Sequence, residues 1–173
     1  SAAVTAKGRL YTWGRGSYGR LGHGDNIDQT TPKMVAALKD VFIVDVACGS
    51  GDAHTLAVSD QGHVYGWGDG DYGKLGLGGC NGTPTPMLLS QLKNDGVFIT
   101  RVFCGHQFSL ALSKEGHLYA FGRADNGRTG AGEDRALRTP TLVQGLLGYQ
   151  IEKVSVGACH VVCMSTNGDI IVW

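Results

Sequence analysis

Three groups of residues in this sequence have types and spacings that could carry chemistry. Gly14-x-Gly16-x-x-Gly19 and Gly68-x-Gly70-x-x-Gly73 have the glycine spacing of a dinucleotide-binding turn, in which the backbone approaches a pyrophosphate on a helix N-terminus. Each follows an alternating stretch that reads as a strand. A Leu-Gly turn and a Thr-Pro come next, not a helix, and a third copy has Ala124 at the middle glycine. The spacing predicts a tight turn and no nucleotide fold. Ser50, Asp52 and His54 are the residue types of a hydrolytic triad, but a triad is defined by geometry and an oxyanion hole, not by nearness in sequence. Cys48, Cys80, Cys104, Cys159 and Cys163 are odd in number and contain no Cys-x-x-Cys. They read as small apolar residues in a reducing compartment, with neither a disulfide framework nor a zinc site. No catalytic residue, metal or cofactor is expected.

The elements that hold these residues recur. Gly8, Gly62, Gly116 and Gly168 are 54, 54 and 52 residues apart, and Trp13, Trp67, Phe121 and Trp173 keep the same offsets. Thr31-Pro32, Thr85-Pro86 and Thr139-Pro140 follow the period, as do Val46-Ala47-Cys48-Gly49, Val102-Phe103-Cys104-Gly105 and Val154-Ser155-Val156-Gly157. The repeats run over about 5–59, 60–113 and 114–165, with the start of a fourth at 166–173. In this register His54 and His160 share a position that Phe108 fills in the second copy. A proton-transfer or metal-binding histidine has no substitute in a phenyl ring, so the position predicts a packed core residue. His63 and His117 alternate outward and read as strand surface.

Within a period, alternating runs such as Arg9-Leu10-Tyr11-Thr12-Trp13, Phe42-Ile43-Val44-Asp45-Val46-Ala47 and His54-Thr55-Leu56-Ala57-Val58 give about four short strands. Helix is confined to a possible turn over Lys33–Lys39. Glycine is abundant, 28 of 173 residues, without the period of collagen and with only 4 prolines. The expected class is all-β: β-propeller blades of about four antiparallel strands, three repeats in all. Aromatic and apolar landmarks would pack between neighbouring blades, with glycines allowing close approach.

Lysine plus arginine and aspartate plus glutamate are 15 each. The three repeats carry six basic and five acidic, three and four, and six and five. No basic stripe of the kind phosphate backbones require is present, so charge points away from nucleic acid. The longest apolar run is too short to span a bilayer, no signal peptide is visible, and the expected location is cytoplasmic or nuclear.

Leu-Tyr-x-Trp-Gly-x-Gly-x-Tyr-Gly-Arg-Leu-Gly-His-Gly, followed by Thr-Pro, Val-Ala-Cys-Gly and His-Thr-Leu-Ala-Val, resembles the regulator of chromosome condensation repeat over essentially the whole chain. Cys48-Gly49-Ser50-Gly51-Asp52-Ala53 and Trp67-Gly68-Asp69-Gly70-Asp71-Tyr72-Gly73-Lys74-Leu75-Gly76 are similar in wording to the propeller domains of giant HERC-type HECT ubiquitin ligases. The resemblance implies a seven-bladed propeller, of which three repeats are less than half. Three blades leave open edges that invite pairing, so the expectation is a piece of a larger ring or a ring completed by self-association. It also implies a protein–protein interaction module in an adaptor or ubiquitin-ligase setting, with any ligase chemistry in another domain. The alternatives are nucleotide exchange on a small GTPase, the activity of the family's founding member, and chromatin or histone binding, which the neutral charge disfavours.

Partner binding is expected where the copies differ on a fixed frame. Arg15, Asp69 and Arg123 share one turn position and Ser17, Asp71 and Asp125 another, beside Tyr18 and Tyr72. Asp52 lies in a loop two residues longer in the first repeat than in the others. These nine are the candidate partner-binding residues.

Overall fold

The computed structural model describes residues 1–49 and 53–173. Asp52 and Ser50 lie outside the described residues. The rest forms four antiparallel sheets. Sheet one holds β1 (Ala2–Val4), β2 (Leu10–Gly14) and β3 (Gln29–Met34). Sheet two holds β4 (Ile43–Cys48), β5 (His54–Ser59), β6 (Val64–Gly68) and β7 (Thr83–Leu88). Sheet three holds β8 (Ile99–Cys104), β9 (Phe108–Ser113), β10 (Leu118–Gly122) and β11 (Leu137–Leu142). Sheet four holds β12 (Ile151–Val156), β13 (Val161–Ser165) and β14 (Ile170–Val172).

Each sheet is a meander of sequential strands. The pairing Ala2↔Thr12 in sheet one is the pairing Leu56↔Gly66 of sheet two displaced by one period. Sheet one therefore contains the counterparts of the second to fourth strands of sheet two. Sheet four contains the counterparts of the first to third. The sequence repeat and the sheet are out of phase: β2 and β3 of one period belong to one sheet, and β4 and β5 of the same period begin the next.

Hydrophobic burial explains why the sheets stack. β5 and β9 are buried at every position, as strands covered on both faces must be. Leu10, Val35 and Leu38 meet Ile43, Ala57 and Trp67 between sheets one and two. Leu56, Val58 and Val64 meet Ile99, Val102 and Phe121 between sheets two and three. Phe108, Leu110 and Leu118 meet Ile151, Val161 and Cys163 between sheets three and four. Each core lies between neighbouring sheets, the arrangement of a β-propeller, and Trp67, Phe121 and Trp173 pack there as expected, whereas Trp13, in the first sheet, is half-buried outside these cores.

Trp67 and Phe121 each sit at a register shift, between Gly66 and Gly68 and between Ala120 and Gly122. A bulge of this kind re-aims a side chain, here toward the preceding sheet. The expected helical turn after Thr-Pro appears as a 3-10 turn at Ala36–Leu38, a short helix α1 at Ser90–Asn94 and a 3-10 turn at Gln144–Leu146. Among the described residues no helix is long and apolar enough to cross a membrane.

Candidate functional site

The repeated glycine-rich stretch connects the last two strands of sheets one, two and three and lies on one rim. Its centre is a 3-10 turn, Ser17–Gly19, Asp71–Gly73 or Asp125–Gly127. Tyr18, Tyr72 and Asn126 occupy the same point of that turn with φ of 62, 61 and 61°. Asparagine tolerates this left-handed conformation, whereas a tyrosine there is strained. The glycines are committed to the protein itself. A Cβ on Gly16 would collide with the Ile27 carbonyl, and one on Gly19 with Pro84 of the next sheet. No α-helix follows and no room remains for a pyrophosphate, in line with the turn reading.

The residue after the turn anchors it to the next sheet. The carbonyl of Arg20 accepts from Trp67 Nε1 at 3.0 Å and from Thr55 Oγ1 at 2.9 Å. The carbonyl of Lys74 accepts from Ser109 Oγ at 2.7 Å, and that of Arg128 from Trp173 Nε1 at 3.2 Å. Outside these, Gly24 and Gly78 donate backbone bonds to Pro84 and Arg138 of the following sheet. Every turn is thus bonded to its neighbour.

The side chains of the anchoring residues differ in how they are neutralised. Lys74 is completely buried and is bonded to Asp69 Oδ2 and Gln107 Oε1. Arg128, also buried, donates through Nε to the Asp125 carbonyl at 3.0 Å and through Nη1 to the His106 carbonyl at 3.1 Å, and pairs with Asp125 Oδ1 at 3.2 Å. Arg20 donates to the Ser17 carbonyl at 2.8 Å and lies 5.8 Å from the Tyr18 ring centre. Among the described residues neither Arg15 nor Arg20 pairs with a carboxylate, because Ser17 stands where the third copy has Asp125.

The candidate residues fall into two kinds. Tyr18 is 58% exposed and Tyr72 42%; Asp71 and Arg15 are exposed beside them. Arg123 crosses from the third turn to the second: its guanidinium lies 5.1 Å from the Tyr72 ring centre while Nε and Nη2 donate to Asp125 Oδ1 and Oδ2 at 2.7 and 2.9 Å. That pairing holds the Asp125 carboxyl below the usual carboxylate range. Asp69, by contrast, turns inward to Lys74 and accepts from the Asp71 backbone at 3.2 Å, giving it a structural task. Lys74, Gln107 and Arg128 are the residues sequence reading did not single out. The signal was a basic residue at one position in all three copies, Arg20, Lys74 and Arg128.

His54 is a core residue, as its exchange with phenylalanine predicts. Ser109 Oγ donates its only proton to Lys74, so it accepts from His54 Nε2–H at 2.7 Å. Nδ1 then carries the lone pair and has no partner among the described residues. Burial, with Lys74 nearby, pushes the imidazole down to about 3. The ring lies over Gly49, as Phe108 lies over Gly105 and His160 over Gly157, so the position asks for a flat ring and a facing glycine. Among the described residues, His54 is accounted for by packing and by its bond to Ser109; Ser50 and Asp52 lie outside the described residues. The cysteines Cys48, Cys80, Cys104, Cys159 and Cys163 are free thiols. Burial drives Cys163 up to about 11 and Cys104 well above the usual thiol range, so neither is a nucleophile at neutral pH.

Stacked meanders of three or four strands with inter-sheet aromatics and bonded rim turns define a partial β-propeller. The family described as "Regulator of chromosome condensation (RCC1) repeat" matches residues 7–58, 61–112 and 115–164, and the chain belongs to that family. It is 49% identical over 173 residues to the human E3 ubiquitin-protein ligase HERC2, spanning all of this chain and 4% of that protein. It is 37% identical to the ultraviolet-B receptor UVR8 of Arabidopsis thaliana, over all of this chain and 39% of the receptor. The crystal structure of human WBSCR16 superposes with a TM-score of 0.85 at 26% identity, over 99% of this chain and 44% of that one. The chain therefore spans less than half the length of each of these relatives.

Proposed function

We propose that this chain is a protein-interaction module, presenting the turns between its last two strands to a protein partner as part of an adaptor or ubiquitin-ligase-type protein. The observation that carries the reading is the division of labour within each turn. The backbone carbonyls of Arg20, Lys74 and Arg128 are bonded to the next sheet in the same way, while Arg15, Ser17, Tyr18, Asp71, Tyr72, Arg123 and Asp125 vary in charge on top of that frame. Full-chain identity to HERC2 supports the ubiquitin-ligase setting, with the covalent chemistry in another part of such a protein and the location cytoplasmic or nuclear. Asp52 belongs to the same proposed rim by its place in sequence.

The test is charge reversal at exposed rim positions. Arg15→Glu with Asp71→Lys removes partners captured by the wild-type chain, whereas Gln61→Lys with Lys114→Glu, in the hairpins at the other end of the strands, retains them. Equal capture by both double variants would sink the rim assignment. Nucleotide exchange on a small GTPase is the competing activity. Catalytic acceleration of nucleotide release from a panel of small GTPases by a complete parent propeller would replace the scaffold reading.

A further inference from the structure

The two junctions between successive turns are related by the repeat and differ in one respect. At the junction of the second and third turns, the Tyr72 ring is covered by the guanidinium of Arg123, 5.1 Å from the ring centre and neutralised by Asp125. At the junction of the first and second turns, the residue equivalent to Arg123 is Asp69, whose carboxylate points inward to Lys74. Nothing from the second turn covers Tyr18, and even with Arg20 beside it the ring is 58% exposed. A cleft of about 320 Å³ lies there, lined by Tyr18, Asp25, Asn26, Asp69, Thr83 and Pro84 among others. Its counterpart at the next junction is lined by Tyr72, Arg123, Asp125 and Asp134.

We infer that the Tyr18 cleft receives an arginine side chain of a protein partner, in the place that Arg123 fills within the chain at Tyr72. The inference rests on the rim reading above and names the chemistry of its partner. An aromatic face attracts a cation, and a planar guanidinium both stacks on the ring and offers a fork of N–H donors. The cleft supplies both halves of that recognition. Tyr18 gives the face. The Asp25 carboxylate, one oxygen of which accepts from the Ile27 backbone at 3.0 Å, pairs with no cation among the described residues. In the filled junction the counter-charge, Asp125, sits on the turn that supplies the cation; here Asp25, on the loop that follows the Tyr18 turn, supplies it. Asp69 also lines the cleft, with its carboxylate already paired to Lys74, so the unpaired negative charge of the lining is that of Asp25. The strained tyrosine conformation places the ring on the rim in both junctions; what differs is whether the next turn lays a cation on it, as Arg123 does on Tyr72.

The experiment is an NMR titration of the 173-residue chain with the tripeptide acetyl-Gly-Arg-Gly-amide, and with the same peptide carrying citrulline in place of arginine. Citrulline keeps the shape and loses the charge. The arginine peptide is expected to shift the amide signals of Tyr18, Asp25 and Asn26, and the citrulline peptide to bind about tenfold more weakly, a factor of ten being about 1.4 kcal/mol. Tyr18→Ala and Asp25→Asn should each abolish the shifts, while Tyr72→Ala leaves them, with the remaining spectrum reporting the fold. Equal shifts with citrulline, or unchanged binding by Tyr18→Ala, would overturn the inference. Loss of the arginine effect with retained rim-dependent capture of protein partners would remove the cleft and leave the interaction module standing.

Discussion

The indole Nε1 of Trp67 donates to the carbonyl oxygen of Arg20 across 3.0 Å, joining the third strand of one sheet to the turn that closes the sheet before it. The same carbonyl accepts Thr55 Oγ1 at 2.9 Å, so it stays satisfied if the indole N–H is lost. Trp67→Phe, which copies Phe121, is therefore expected to cost only about 0.5–1 kcal/mol. Trp67→Ala empties the core between sheets one and two and costs about 3–5 kcal/mol. Urea unfolding of the two variants separates the hydrogen bond from the packing; comparable losses would show the bond to be the dominant link.

Lys74 tests the buried part of the rim. Lys74→Met leaves the Asp69 carboxylate, only 14% exposed, without its cation, and is expected to destabilise by about 3 kcal/mol. Removing the acid as well, as Lys74→Met with Asp69→Asn, should recover part of that loss, because no uncompensated charge remains. A double-mutant cycle by thermal unfolding reads the coupling, and strictly additive single effects would contradict the ion pair.

His54 gives the fold a pH dependence whose sign follows from its depressed ionisation. The folded value of about 3 lies below the ordinary 6.5. Between those values the unfolded chain binds a proton that the folded chain refuses, so stability is retained above pH 6.5 and falls as pH falls below it. The slope from this residue approaches about 1.4 kcal/mol per pH unit. His54→Phe, the side chain of the second repeat, should flatten Tm between pH 6.5 and 4.5. An unchanged slope in the variant would assign the acid sensitivity elsewhere.

Tyr18 is expected to trade stability for recognition. Tyr18→Asn installs the residue that occupies the same left-handed position at Asn126, relieving strain of about 1 kcal/mol while losing a contact with Arg20 of about 0.5 kcal/mol. The variant should unfold at a slightly higher temperature and bind rim partners more weakly. Lower stability with full binding would reverse that assignment.

Much of this was legible in the sequence for a physical reason: Trp67, Phe121 and Trp173 each fill the same space between sheets, so their spacing records the sheet repeat. The exchange of His54 with Phe108 likewise announced a packed ring. The phase of the sheets was not legible. Alternation within β3 or β4 reports which face is buried, and nothing in either strand states that hydrogen bonding stops between them. The Lys74 cluster was hidden for a different reason. A lysine beside Asp69 and Asp71 in a glycine-rich turn has the wording of a solvated loop, and complete burial of lysine is rare. Its other partner, Gln107, is contributed from 33 residues away by the next sheet.

The half-step offset between repeat and sheet has a consequence for how such a chain can be cut and rejoined. Excising 54 consecutive residues that begin between Leu10 and Leu38 brings together segments that lie one period apart. The rejoined chain then has the strand order of an uninterrupted meander, one sheet shorter. A duplication of the same length inserts a sheet without disturbing the order of the others. The unit of copying need not coincide with any unit of folding. Two chains of this kind exchanging segments at unmatched landmarks would lose a strand partner; at matched landmarks they would change only the number of blades.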